Sequence, residues 1–328
     1  MGRDKTVTGF QNLPLSVHPR GNRVLFLAAK LDYSEKCHPA ADFPATKSRD
    51  TSMPRTIRTA LLAVSLALAS AAAARAETVT VAGSGGMIPL LTILAEAYMK
   101  RNPHDFIRVS PTSLTQSGGV LAARTGAVDI GMSALPVPGN ELDETTSAYH
   151  IADVPATVAV HNNVRIANLT SQQLCAIYAG RIKSWRQLGG HDAPITVLTR
   201  PESDSTKMAF RGGVACFKGL RETAEAVTMF KSNDMLNALQ RTPDTIGIID
   251  AIALDQSPGR AHPVRLDGRS PTAEEVAAGR WPVVKRYTLV IRNDRSRGVD
   301  RFMRFIRSRE GSALIAKHKG VPVNFSYP

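Results

Sequence analysis

One change of period, within residues 77 to 101, constrains this chain more than any other feature. TVTVAG is a run rich in β-branched residues that ends in the glycines of GSGG, and IPLLTILAEAYMKR follows with apolar residues at helical spacing until Asn102-Pro103 breaks it. The same alternation then repeats. FIRVSPTS reads as a second strand, SGGVLAARTGAVDIGMSA as loop, helix, glycine stop and third strand, and VPATVAVH as a fourth. LTSQQLCAIYAGRIKSWRQLGG is a helical unit, with Thr170 and Gln173 spaced as a capping box and Gly189-Gly190 at its end. PITVLTR is a strand, STKMAFRGGVACF a helix, DTIGIIDAIAL a further strand entry and KRYTLVIR a late strand. RGVDRFMRFIRSREGSALIAKHKG closes as helices, with Val299, Phe302, Phe305 and Ile306 on one face. Short strands alternating with helices predict an α/β layer fold. No repeat or low-complexity tract follows Ala76.

The chain has 328 residues, room for two compact units, and at 43% hydrophobic it has the material for their cores. Residues 53 to 76, MPRTIRTALLAVSLALASAAAARA, have Arg55 and Arg58 in front, an apolar run from Ala60 to Ala69, and Ala74-Arg75-Ala76 at the end. That is the layout of a secretory signal peptide cut before Glu77, and its apolar run is shorter than the roughly 18 to 20 residues a membrane span needs. No cysteine follows to mark a lipid anchor, so the expectation is a soluble mature protein in the periplasm. Residues 1 to 52 are then expected to be a misread start or a disordered leader, with translation beginning at Met53. The formal charge of +13 overstates the mature protein, because residues 1 to 76 take 11 basic and 5 acidic residues with them and leave +7. Cys37 goes with the leader; Cys175 and Cys216 remain, and in an oxidising compartment a disulfide between them is the simplest reading. With no CxxC and no clustered histidine, no metal site is expected.

Three places share one local design, in which a strand ends, a short Gly/Ser/Thr loop follows and a helix begins. They are Ser84, Gly85 and Gly86; Gln116, Ser117, Gly118 and Gly119; and Ser203, Asp204, Ser205 and Thr206. Helix N-termini carry unsatisfied amide donors and partial positive charge, so each loop suits an oxyanion, and glycine lets backbone approach it. The third is headed by Arg200, whose planar fork suits oxyanions.

In these blocks the mature chain resembles a periplasmic solute-binding protein of the phosphate-importer type, which implies the α/β type II binding-protein fold, mixed sheets flanked by helices. GSGGMIPLLTILAEAY is similar to that family's first binding loop and helix, SGGVLAARTGAVDIGMSALP to its second loop and following strand, and IYAGRIKSWRQLGG to its mid-domain signature. TRPESDSTKMAF is similar to its third loop and FIRSREGSALIAKHKGVPV to its C-terminal helix and final turn. The resemblance covers essentially all of 77 to 328. It implies two lobes, 77–157 plus 283–328 and 158–282, closing over a ligand between them, with a membrane ABC permease as the partner of a monomeric, non-enzymatic receptor that needs no cofactor. Arg200 and Thr206 fall where phosphate-binding members have arginine and threonine, and Ser117, Gly118 and Gly119 fit the second loop. Departures are Gln116 where a serine is common, Gly86 or Met87 where a threonine is usual, Ala134 after Ser133 where a charged residue often faces the ligand, and Ser203-Asp204-Ser205-Thr206 in place of Gly-Ser-Gly-Thr.

Hydrogenphosphate carries a proton that a carboxylate can accept, whereas sulfate has none and is repelled. Asp204 is therefore either that acceptor, replacing the one missing at Ala134, or the cap of the helix begun at Ser205. Glu202 reads as a solvated loop residue. Against an enzyme, the chain has no GxSxG, HExxH or Walker loop, and Lys207 follows Asp204, not a serine, at the SxxK spacing. The alternative is a sensor or adhesin-like binding protein of the same fold with a different ligand, and a hydrolase handling phosphate ranks below it. Against a nucleic-acid partner, the arginines from Arg292 to Arg309 interleave with Asp294, Asp300 and Glu310, and at 5% aromatic residues there is little to stack bases on.

Overall fold

The computed structural model describes residues 77–328 apart from Ser257; the segments read as leader, 1–52, and export signal, 53–76, lie outside the described residues. Strand β1 (Thr78–Gly83) runs through a single 3-10 turn (Gly85–Met87) into helix α1 (Ile88–Arg101), which has proline in its first turn, where a missing N–H costs nothing. Strand β2 (Phe106–Val109), helix α2 (Thr115–Arg124) and strand β3 (Ile130–Ser133) follow, and β2 and β3 lie parallel to β1 on its two sides.

Strand β4 (Thr146–His161) is longer than the sequence suggested. VPATVAVH is its buried, mostly apolar end, and the polar residues of the first half, such as His150 and Asp153, which bond each other at 2.9 Å, masked the strand there. After it come β5 (Asn168–Leu169), α3 (Ser171–Tyr178), β6 (Thr196–Thr199), α4 (Ser205–Gly213), β7 (Val227–Thr228), α5 (Ser232–Arg241), β8 (Thr245–Asp250) and α6 (Ala251–Asp255). The chain ends with β9 (Ala261–Leu266), α7 (Ala273–Ala277), β10 (Val284–Arg292), α8 (Arg297–Arg307), α9 (Arg309–Lys317) and β11 (Val321–Pro322).

Strand β4 is shared between two halves of a mixed sheet ordered β2-β1-β3-β10-β4-β8-β6-β7. From Thr146 to Pro155 it pairs with β10, and from Ala156 onward with β8 and β9. Each half has its own core. One gathers Val79, Leu90, Leu94, Met132, Phe302 and Ile306; the other gathers Val158, Leu174, Trp185, Phe210, Ile248 and Trp281. The face expected of α8 is used as expected, with Val299, Phe302 and Ile306 buried and Phe305 packed beside them against Tyr98.

The capping box at α3 is formed: Gln173 N donates to Thr170 Oγ1 at 3.1 Å, and Thr170 N donates to Gln173 Oε1 at 2.8 Å. Cys175 and Cys216 form the disulfide, tying α3 to the turn after α4 beside the Tyr178–Phe217 ring pair. Closing a loop of 41 residues contributes about 4 kcal/mol in the chain-entropy account. Replacing both cysteines by serine is expected to lower stability by up to that amount in guanidinium unfolding, and reduction of the parent should reproduce the shift.

Candidate functional site

The loops after β1, before α2, between β6 and α4, and between β7 and α5 converge on a cavity of about 270 Å³. Of the residues singled out in the sequence, Ser84, Gly85, Gln116, Arg200, Asp204 and Ser205 line it. Ser203, also marked in the sequence, lines it too; Ser113 and Thr115 join from the second loop and the start of α2, Pro201 from the third loop, and Phe230, Lys231 and Ser232 from a fourth segment that sequence reasoning missed. The other candidates lie behind or beside this wall. Ser117 is exposed on α2, and Gly118 follows it, its amide donating to Thr115 Oγ1 at 3.3 Å. Gly119 lies against backbone, where a Cβ would come within 2.6 Å of Gly83 Cα and 2.8 Å of Met132 O. Its place in the fold is the close approach of α2 to β1 and β3. Ser133 is buried and donates to Leu135 O at 2.8 Å.

Donors must be counted before an anion can be placed. In the first loop, Ser84 N donates to Met132 O at 2.9 Å and Gly85 N to Ser113 Oγ at 3.0 Å, which leaves the Ser84 hydroxyl and the Gly86 amide without an acceptor among the described residues. Ser113 Oγ also donates to Gly83 O and accepts from Thr115 N, which knots the first two loops together. Gln116 contributes a buried Oε1 with no partner among the described residues.

The third loop holds the charge. The Arg200 side chain is only 4% exposed; its Nη2 donates to Asp204 Oδ2 at 2.6 Å, and its Nη1 is buried without a partner among the described residues. Asp204 is the N-cap of α4, its Oδ1 accepting from Thr206 N at 2.9 Å and Lys207 N at 3.2 Å. Those two amides are therefore already engaged, and Ser205 N is the first-turn donor of α4 that remains free among the described residues. Burial presses the Asp204 carboxyl upward, but the hydrogen bond and charge of Arg200, helped by the charge of Lys285, outweigh it and hold the group below its ordinary value.

Two further networks support the loop. Lys207 is buried, donates to Thr199 Oγ1 at 2.7 Å and Arg200 O at 3.2 Å, and pairs with Glu222 at 2.6 Å, so it fixes the backbone that carries Arg200. Glu202, read from the sequence as simply solvated, is 69% exposed but binds Arg211 through both oxygens at 3.1 and 2.8 Å, an i, i+9 contact that only the turn into α4 creates. Behind the cavity, Lys285 Nζ lies 2.8 Å from Asp250 Oδ1, donates to Asp250 Oδ2 at 2.9 Å, and donates to Thr206 Oγ1 at 3.2 Å. Gly86 rests on this pair, and Tyr287 OH donates to Gly86 O at 2.6 Å. Burial raises the Asp250 carboxyl in spite of the ammonium beside it.

Sequence reasoning missed Asp250 and Lys285. One signal was available: in VKRYTLVIR, Lys285 shares its register with Tyr287 and Leu289, so a lysine stands where the strand buries its side chains. Among the described residues no group of three or more His, Cys, Asp or Glu side chains is placed to hold a metal ion, and no helix is long and apolar enough to cross a membrane.

A family model described as a PBP superfamily domain matches residues 68–310. The chain is 28% identical over 246 residues to the phosphate-binding protein PstS of Bacillus subtilis, covering 74% of this chain and 80% of that relative. Among solved structures, it is similar to a putative phosphate ABC transporter substrate-binding protein with bound phosphate from Clostridium perfringens. That likeness has a TM-score of 0.66 and 27% identity, and covers 75% of this chain and 99% of that one. An ABC-type phosphate transport receptor from Vibrio cholerae shares the fold, with a TM-score of 0.55, 23% identity and coverage of 74% and 99%.

Proposed function

The chain belongs to the PBP superfamily, and we propose that it is a non-enzymatic receptor that captures phosphate in the cavity headed by Arg200 and hands it to a membrane ABC permease. One observation carries this reading: a buried guanidinium at the cavity wall, countered on one nitrogen by Asp204 and with Nη1 unpartnered among the described residues. A buried cationic donor of that kind is costly to leave unmade, and an oxyanion supplies both the charge and the acceptor it lacks. The N-termini of α2, α4 and α5 border the same cavity and add partial positive charge. Relatives named for phosphate binding, and a similar structure with phosphate bound, support phosphate as the first ligand to try.

In this reading Arg200 is the fixed charge. Ser84 from the first loop and Gln116 and Ser205 from the first turns of α2 and α4 supply polar contacts, and Asp204 reads the proton of hydrogenphosphate. Gly85 and Gly86 keep the first loop close to Ser113 and to the Asp250–Lys285 pair, Gly119 lets α2 approach β1 and β3, Ser117 and Gly118 lie in the first turn of α2, Ser133 braces the turn after β3, and Thr206 adds a hydroxyl next to Ser205. The lobes are 77–157 plus 283–328 and 158–282, meeting at β4 and β10, and capture closes them by a hinge motion. Residues 53–76 export the protein, which works in the periplasm as a monomer. A thermal-shift screen with phosphate, sulfate, molybdate, phosphonates and small carboxylates tests the reading. Phosphate is expected to raise the melting temperature in proportion to the logarithm of its concentration, with sulfate giving little. No shift with any oxyanion contradicts it.

A further inference from the structure

We infer that Lys285 is a positioning residue that turns the Thr206 hydroxyl into a hydrogen-bond donor for the captured oxyanion, with Asp250 holding the ammonium in place. The inference rests on the oxyanion-receptor reading and adds a residue to it that touches no ligand.

The chemistry follows from counting hydrogens. An ammonium donates and has no lone pair, whereas a threonine hydroxyl has one hydrogen and two lone pairs. Lys285 Nζ lies 3.2 Å from Thr206 Oγ1, so that oxygen is the acceptor in the contact and its own hydrogen points elsewhere. No acceptor for it is found among the described residues. Thr206 is the second residue of α4, buried directly behind cavity-lining Asp204 and Ser205 and one residue from the cavity wall. Lys285 thus excludes the orientations in which the Thr206 hydroxyl hydrogen points back at the ammonium and biases it away from that side.

The pair is placed where it can do this and little else. Lys285 is 0% and Asp250 1% exposed, so neither meets solvent, and each neutralises the other. Lys285 lies opposite Val154 and Asp250 opposite Ala156, on the two sides of the point where β4 passes from one half of the sheet to the other. The first loop is fitted over the pair, since a Cβ on Gly86 would come within 2.7 Å of Lys285 Nζ and would overlap the Asp250 carboxylate. Tyr287, two residues from Lys285 on the same face, holds that loop through Gly86 O. A buried ion pair is an expensive way to fill such a space, because well-packed apolar side chains often stabilise a fold as much or more. The orientation of Thr206 is something that apolar filler could not supply.

A double-mutant cycle read by calorimetric titration with inorganic phosphate tests this on the full chain. Lys285→Met is expected to weaken phosphate binding about tenfold, as for the loss of one oriented hydrogen bond to an anion. In a Thr206→Val background the same change is expected to weaken it by less than about twofold, because the hydroxyl it acts on is gone. Equal losses in both backgrounds, or no loss from Lys285→Met in the parent, overturn the inference. Should Lys285→Met alone not fold, Asp250→Asn/Lys285→Met leaves no lone buried charge and takes its place in both arms of the cycle. A parent protein that takes up no phosphate overturns the receptor reading itself, and this inference with it. A parent that binds phosphate while the cycle shows no coupling overturns the inference alone.

Discussion

Replacing Arg200 by alanine is expected to weaken phosphate binding by about 30-fold to several thousand-fold, the range that follows from truncating one partner of a buried, hydrogen-bonded charge pair. The effect should be this large because the change removes the fixed charge and, at the same time, leaves Asp204 as an unpaired carboxylate on the cavity wall. The variant would thus repel the ligand as well as fail to attract it. Arg200→Lys separates the two contributions. Lysine restores one positive charge but not the planar fork that serves Asp204 from Nη2 and leaves Nη1 free, so it is expected to recover only part of the affinity. Titration calorimetry on both variants checks this, and full recovery by lysine would mean that the geometry of the fork is irrelevant.

Asp204→Asn is expected to change selectivity more than affinity. In the parent, Asp204 lines the cavity; its Oδ1 takes two amides of α4, while Oδ2 takes Arg200 and has capacity left for another donor. In the proposed reading that oxygen, held ionised, accepts a hydrogen bond from the P–OH of hydrogenphosphate and repels sulfate. Asparagine keeps a capping oxygen but exchanges the repelling charge for a donor, so sulfate binding is expected to gain on phosphate by about tenfold or more. Stability without ligand should fall by about 1 to 3 kcal/mol as the charged bond to Arg200 is lost. The acid limb of stability should change as well. Because the folded carboxyl sits below its ordinary value, its contribution is complete above the unfolded value near pH 4 and is lost as pH falls through the lower folded one. The variant lacks that loss. An unchanged ratio of phosphate to sulfate binding would leave Asp204 with its capping role alone.

Much of this was legible because it is local. Ser84, Gln116, Arg200 and Ser205 stand in strand–loop–helix units that the sequence displays within a dozen residues, and all four line the cavity. The Thr170 capping box and the buried face of α8 were equally local, and both are formed. What stayed hidden depends on distant partners. Lys285 and Asp250 are 35 positions apart, and only the pairing of β10 and β8 with β4 brings them together. Phe230, Lys231 and Ser232 follow a two-residue strand with no glycine to mark the turn, although Phe230 is 74% exposed at the cavity wall. Gly119 shows the limit of reading glycines as ligand loops, since its missing Cβ makes room for the backbone of β1 and β3. The two roles need the same residue, and only coordinates tell which neighbour fills the space.

Equilibrium titration of the purified protein with inorganic phosphate, repeated in a large excess of sulfate, tests the central claim most directly. The account predicts saturable binding of one phosphate per chain that sulfate barely displaces. Phosphate uptake that is absent, or that an equal concentration of sulfate abolishes, would contradict it.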